Sequence, residues 1–84
     1  MKMIRWSYSR RKVVRAYFDK FPGSTFYFRR IRSYFYLYSS DWSEEDPLLE
    51  EGDQEEMQLL VNESLGRKEA YRNRKSLGTK TSGH

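Results

Sequence analysis

Hydrophobic and polar positions alternate over the first eight residues. Lys2, Ile4, Trp6 and Tyr8 fall on one side of an extended chain and Met1, Met3, Arg5 and Ser7 on the other, the period of a short half-buried strand. From Ser9 the period lengthens. Val13, Val14, Tyr17, Phe18 and Phe21 recur at the i, i+1, i+4, i+5, i+8 spacing of one helical stripe, with Arg10, Arg11, Lys12, Arg15 and Lys20 mostly off it. Ser9 as N-cap and Pro22-Gly23 as a stop frame this predicted helix.

Residues 24–39 are dense in Phe, Tyr and Ile and hold no Gly or Pro, which favours extended structure. A single strand is one reading. A hairpin pairing Thr25–Phe28 with Tyr34–Tyr38 across Arg29–Ser33 is another, although the usual Asn-Gly or Asp-Gly turn is missing. A helix is the third, and periodicity alone does not choose.

Asp41 to Asp53 is an acidic connector containing Pro47 and Gly52, with Ser43 and Asp46 spaced like a capping box around a brief turn. Asp53 with Glu56 repeats that signature ahead of a longer helix. Its narrow apolar stripe is Met57, Leu60, Val61, Ser64 and Leu65, with acids crowding its start and bases its end, as the helix macrodipole favours. Gly66 ends or weakens it before Arg67 to Lys75, and Ser76 to His84 reads as a disordered tail. The fold class expected is α+β, one small unit in the order short strand, helix, aromatic strand or hairpin, acidic linker, C-terminal helix and tail. A mostly helical fold is the alternative. The regions are 1–42, basic and aromatic; 43–75, acidic linker and charged helix; and 76–84, the tail.

Composition sharpens this picture. Leu, Ile, Val and Phe supply only 17 of 84 residues, at the edge of the range in which chains fail to fold. The 14 large aromatic rings offset that, and 13 of them lie between Trp6 and Trp42, so the first half carries most of the folding capacity. With no cysteine there are no disulfides or thiolate metal sites, which fits a cytoplasmic or nuclear setting inside the cell. No transmembrane segment and no secretory leader is visible, but residues 1–18 hold bases and no acid, which keeps a mitochondrial address open.

Charge is sorted into blocks. Residues 1–40 carry +9, residues 41–65 carry −10 and residues 66–84 carry +5. Either the acidic middle folds back on the basic ends, or each block faces a partner of its own.

Catalytic chemistry finds little support. The lone histidine is His84, at the end of the expected tail, so no rigidly held base is available to a triad or dyad, and the chain is read as a non-enzyme. The acids around Gly52 miss the EF-hand spacing, because Pro47 falls where the first ligand belongs; no metal or cofactor is expected. The positive signal is arginine interleaved with aromatic residues. Guanidinium groups hold phosphates and rings stack unpaired bases, so the expectation is a small accessory protein that binds RNA or an RNA-containing assembly. The candidate residues are Arg10, Arg11, Lys12, Arg15, Arg29, Arg30 and Arg32, with Tyr27, Tyr34 and Tyr36 for stacking. Two other classes stay open. One is a protein-interaction regulator or subunit of a larger complex that uses the acidic segment and the helix stripe Met57, Leu60, Val61 and Leu65. The other is a peripheral adaptor on an anionic membrane surface.

Overall fold

The computed structural model describes residues 1–74. Strands β1 (Met3–Arg10), β2 (Val13–Phe18), β3 (Phe21–Ile31) and β4 (Tyr34–Asp41) form one antiparallel sheet in sequence order. Helix α1 (Asp53–Ser64) follows the acidic connector, and a second helix, α2, occupies 68–74. The α+β class is therefore correct, and the mostly helical alternative is not.

The expected helix from Ser9 to Phe21 does not form. That stretch is the end of β1, a turn at Arg11-Lys12, β2, and a turn at Asp19-Lys20. Val13 and Val14 are both buried, which a helical stripe also requires, but they point to opposite sides of a strand. Beyond them the period is two: Val14, Ala16 and Phe18 are buried while Arg15 and Tyr17 are half-buried. β-branched and aromatic side chains fit the pleated surface better than a helical turn, and cross-strand packing decides the outcome. Pro22-Gly23, expected to stop a helix, instead lies near the start of β3. Pairing with β4 begins only at Thr25, opposite Asp41, so the missing Pro22 amide costs no rung on that side. Of the three readings for residues 24–39, the hairpin is the one found, with Arg32-Ser33 at its tip.

The covered face of the sheet holds the core. Val14, Ala16, Phe18, Phe21, Phe26, Phe28 and Phe35 are buried there against Met57 and Val61 of α1. Phe18 meets Phe26 and Phe28 edge to face at centroid separations of 5.8 and 6.1 Å, the arrangement that aromatic quadrupoles favour.

Helix α1 also closes an outer strand. Asn62 accepts the Phe35 N–H at 2.7 Å and donates to the Phe35 carbonyl at 2.8 Å, while Gln58 accepts the Leu37 N–H at 2.9 Å. These amides replace the neighbour that β4 lacks. The other outer strand, β1, pairs with β2 alone among the described residues and is irregular between Met3 and Arg5 and between Tyr8 and Arg10.

Both helix ends follow from the sequence in part. Asp53 does not cap α1 with its side chain; Gly52, at φ 95°, precedes the helix, and the Asp53 carboxylate accepts the Glu50 N–H instead. At the other end Gly66, at φ 74°, terminates it. The Gly66 N–H reaches the Glu63 carbonyl and the Arg67 N–H reaches the Asn62 carbonyl, the paired bonds of a left-handed helix stop. The bases expected in its last turn fall beyond this stop. The tail 76–84 lies outside the described residues.

Candidate nucleic-acid interface

Because the strands run up and down in order, the turns at Arg11-Lys12 and Arg32-Ser33 share one end of the sheet, and Asp19-Lys20 lies at the other. The acidic connector starts from the Asp19 end. There Lys20 pairs with Glu50 and Asp53 at 2.9 Å each, and the Asp46 carboxylate accepts N–H from Gly23 at 3.0 Å and the Ser24 hydroxyl. A Cβ on Gly23 would lie 3.2 Å from Ser43, so the connector seats closely on β3. The Glu50 N–H, and then Lys20, hold the Asp53 carboxyl below its ordinary range.

The acidic block therefore pairs with Lys20 and the Met1 amine of the basic half and leaves the candidate contacts aside. Of the seven arginines and lysines proposed as nucleic-acid contacts, none has a carboxylate within ion-pair distance among the described residues. Apart from Asp41, at the far end of β4, the four strands contain no acid.

These bases divide between two surfaces. On the face of the sheet away from α1, Ser7, Arg15, Tyr27 and Ser39 form one row across the strands, and Arg10, Val13, Arg29 and Tyr36 form the next. Each row thus sets one arginine beside a tyrosine of the next strand, Arg15 with Tyr27 and Arg29 with Tyr36. The Arg5 guanidinium lies 4.4 Å from the centre of the Tyr17 ring, and Arg29 lies 5.9 Å from that of Tyr38. The Arg15 Nε is buried and has no hydrogen-bond partner.

The second surface is a cleft of about 400 Å³ at the tip end of the covered face. Arg10, Arg11, Lys12, Arg30 and Arg67 line it, with Tyr8, Phe35 and Leu65 as the apolar wall. Arg10 stands on the border, since its Nη2 also donates to the Tyr38 hydroxyl at 3.5 Å. Lys12 adopts φ 63° and Arg32 φ 59°, a left-handed conformation that costs a side-chain-bearing residue roughly 1–2 kcal/mol. The Arg30 N–H donates to the Lys12 carbonyl at 2.8 Å and ties the β1–β2 tip to β3.

A family model described as "Uncharacterised protein YuzH" matches residues 2–76. The chain belongs to the YuzH family. No curated protein and no solved structure matches it.

In this YuzH-family chain the proposed contact residues are not one patch. Arg15, Arg29, Tyr27 and Tyr36 share the open face, whereas Arg10, Arg11, Lys12 and Arg30 meet at the cleft. Arg32 and Tyr34 line a neighbouring hollow with Arg74, where Tyr34, paired with Ile31 and two residues from Tyr36 on the same side of β4, packs edge to face on Tyr71 at 6.1 Å. Burial and a hydrogen bond to Glu55 raise the pKa of the Tyr71 hydroxyl.

The helix stripe proposed for docking a partner is used internally. Met57 and Val61 are wholly buried, and Leu60 and Leu65 pack partly buried against the same core. So thin an apolar supply leaves no helix face to spare. Sequence reasoning also passed over Arg5, Tyr17 and Tyr38 on the open face, and Arg67 and Tyr8 at the cleft. Arg67 has no local signal: it reaches the tips only because Gly66 turns the chain there.

Proposed function

We propose that this protein is a non-catalytic accessory factor that binds single-stranded RNA on the uncovered face of its sheet. Tyr27 and Tyr36 stack unpaired bases, and Arg15 and Arg29 hold the adjoining phosphates. The supporting observation is the pair of cross-strand arginine–tyrosine neighbours, Arg15 with Tyr27 and Arg29 with Tyr36, with no carboxylate opposite. Tyrosine rings beside arginines on a sheet are a sequence-tolerant platform for bases, each stack contributing about 1–3 kcal/mol.

Filter binding of a mixed-sequence single-stranded RNA at two salt concentrations tests the reading. Affinity should fall steeply with salt, as phosphate contacts release counterions. Tyr27→Ala and Tyr36→Ala should each weaken binding by about 5- to 150-fold, the range corresponding to one lost stack. Absence of binding at low salt, or indifference to both substitutions, would end the proposal.

A further inference from the structure

We infer that the cleft beside the first hairpin tip is a separate site for the phosphates of a nucleotide, on the side of the sheet away from the proposed RNA platform. Arg10, Arg11, Lys12, Arg30 and Arg67 converge on it from β1, the first tip, β3 and the segment after α1. None of these cations has a carboxylate partner among the described residues. Like charges gathered around one hollow repel each other, and a multivalent anion seated among them removes that repulsion while gaining charge-assisted hydrogen bonds.

The shape narrows the ligand. A volume of about 400 Å³ lies within the range for a compact organic ligand and is larger than a lone phosphate needs. One wall is apolar, and its Tyr8 ring is 59% exposed and braced edge to face by Trp6 at 5.6 Å. An exposed ring held at the rim of a cationic hollow offers a base a stacking surface while its phosphates meet the arginines.

The site is also held in position beforehand. Lys12 keeps its left-handed backbone although glycine would adopt that conformation without strain, and its carbonyl is fixed by the Arg30 N–H. A cation at a position whose backbone favours glycine fits a demand for the side chain, since strained residues cluster at ligand sites. The phosphates have two sources, a free nucleotide or the 5′ end of an RNA strand.

The test is calorimetric titration and thermal shift of the full chain at low salt, using ATP, adenosine, inorganic tripolyphosphate and RNA oligonucleotides with 5′-phosphate or 5′-hydroxyl ends. ATP should bind and raise the melting temperature, adenosine should do neither, and tripolyphosphate should bind more weakly than ATP. Preference for ATP over both oligonucleotides assigns a free nucleotide; preference for the 5′-phosphorylated strand over its 5′-hydroxyl twin, with ATP competing, assigns the RNA end. Lys12→Gly should weaken ATP binding at least fivefold while leaving the melting temperature of the unliganded protein equal or higher, an outcome that loss of fold would not give. Tyr27→Ala and Tyr36→Ala should leave ATP binding intact, so failure of the RNA platform and failure of the cleft are told apart. No ATP binding at millimolar concentration, or ATP binding indifferent to Lys12→Gly, overturns the inference.

Discussion

Single side chains carry more of this fold than its small core suggests, and Asn62 is the clearest case. Wholly buried, it makes three hydrogen bonds, two to the Phe35 backbone and one to the Gln58 carbonyl. Asn62→Leu keeps the branched shape but strands a buried N–H and a buried carbonyl of β4, each costing about 1–3 kcal/mol. Chemical denaturation should therefore show a loss of roughly 2–6 kcal/mol. A loss near zero would mean that β4 finds other partners. From the sequence, Asn62 was one polar position on a helix; that it faces a strand edge needs knowledge of where α1 docks. Lys12 and Arg32 were equally opaque. Hairpin turns announce themselves through Asn-Gly or Asp-Gly, and here basic residues take the left-handed positions, which removes the usual signal.

At the scale of elements, α1 was legible from its apolar stripe and a start signal within one residue of its first turn, whereas β1 was legible as a strand but not in its faces, because irregular pairing puts Met3 and Trp6 on the core and leaves Ile4 exposed. β2 was not. Its buried Val13 and Val14 satisfy a helical stripe as well as a strand pair, and the helical reading prevailed because Pro22-Gly23 looked like its stop. The strand alternation Val14, Ala16, Phe18 was the competing signal, and it was present. The junction of connector, β2–β3 turn and α1 has a pH signature. Asp53 accepts the Glu50 N–H and pairs with Lys20, so its carboxyl titrates below the unfolded value. Its contribution is complete above the ordinary carboxylate pKa of about 4 and fades as the pH falls through the lowered folded value. Denaturation between pH 6 and 2 should show stability declining on acidification, with a shallower decline in Asp53→Asn. Parallel curves for the two proteins would remove Asp53 from the account.

For the whole molecule, charge blocks were legible in the sequence, but their placement was not. The acidic block was expected either to fold back on the bases or to face its own partner. The first arrangement holds in part: the connector packs at the Asp19 end, where Glu50 and Asp53 occupy Lys20, and α1 pairs Glu56 with the Met1 amine, Glu55 with Arg74 and Glu63 with Lys68, while the bases at the tip end have no carboxylate partner among the described residues. β3 alone spans 11 residues, about 35 Å at roughly 3.3 Å per residue, far beyond the screening length of about 8 Å at physiological salt. Replacing Glu44, Glu45 and Glu51 together with glutamine should then change RNA affinity less than about twofold at 0.15 M salt and more at 0.01 M, where screening reaches about 30 Å. A large gain at 0.15 M would show that the connector competes directly for the RNA site. Removing residues 41–65 altogether does not answer that question, because α1 completes the core.

The amide clasp of Asn62 and Gln58 on β4 also bears on self-association. With the Phe35 to Leu37 stretch of one flank stoppered by its own helix, side-by-side joining of copies through that half of β4 would first have to displace Asn62 and Gln58, whereas β1 meets no such plug among the described residues. The helix thus biases any lateral contact toward the β1 flank.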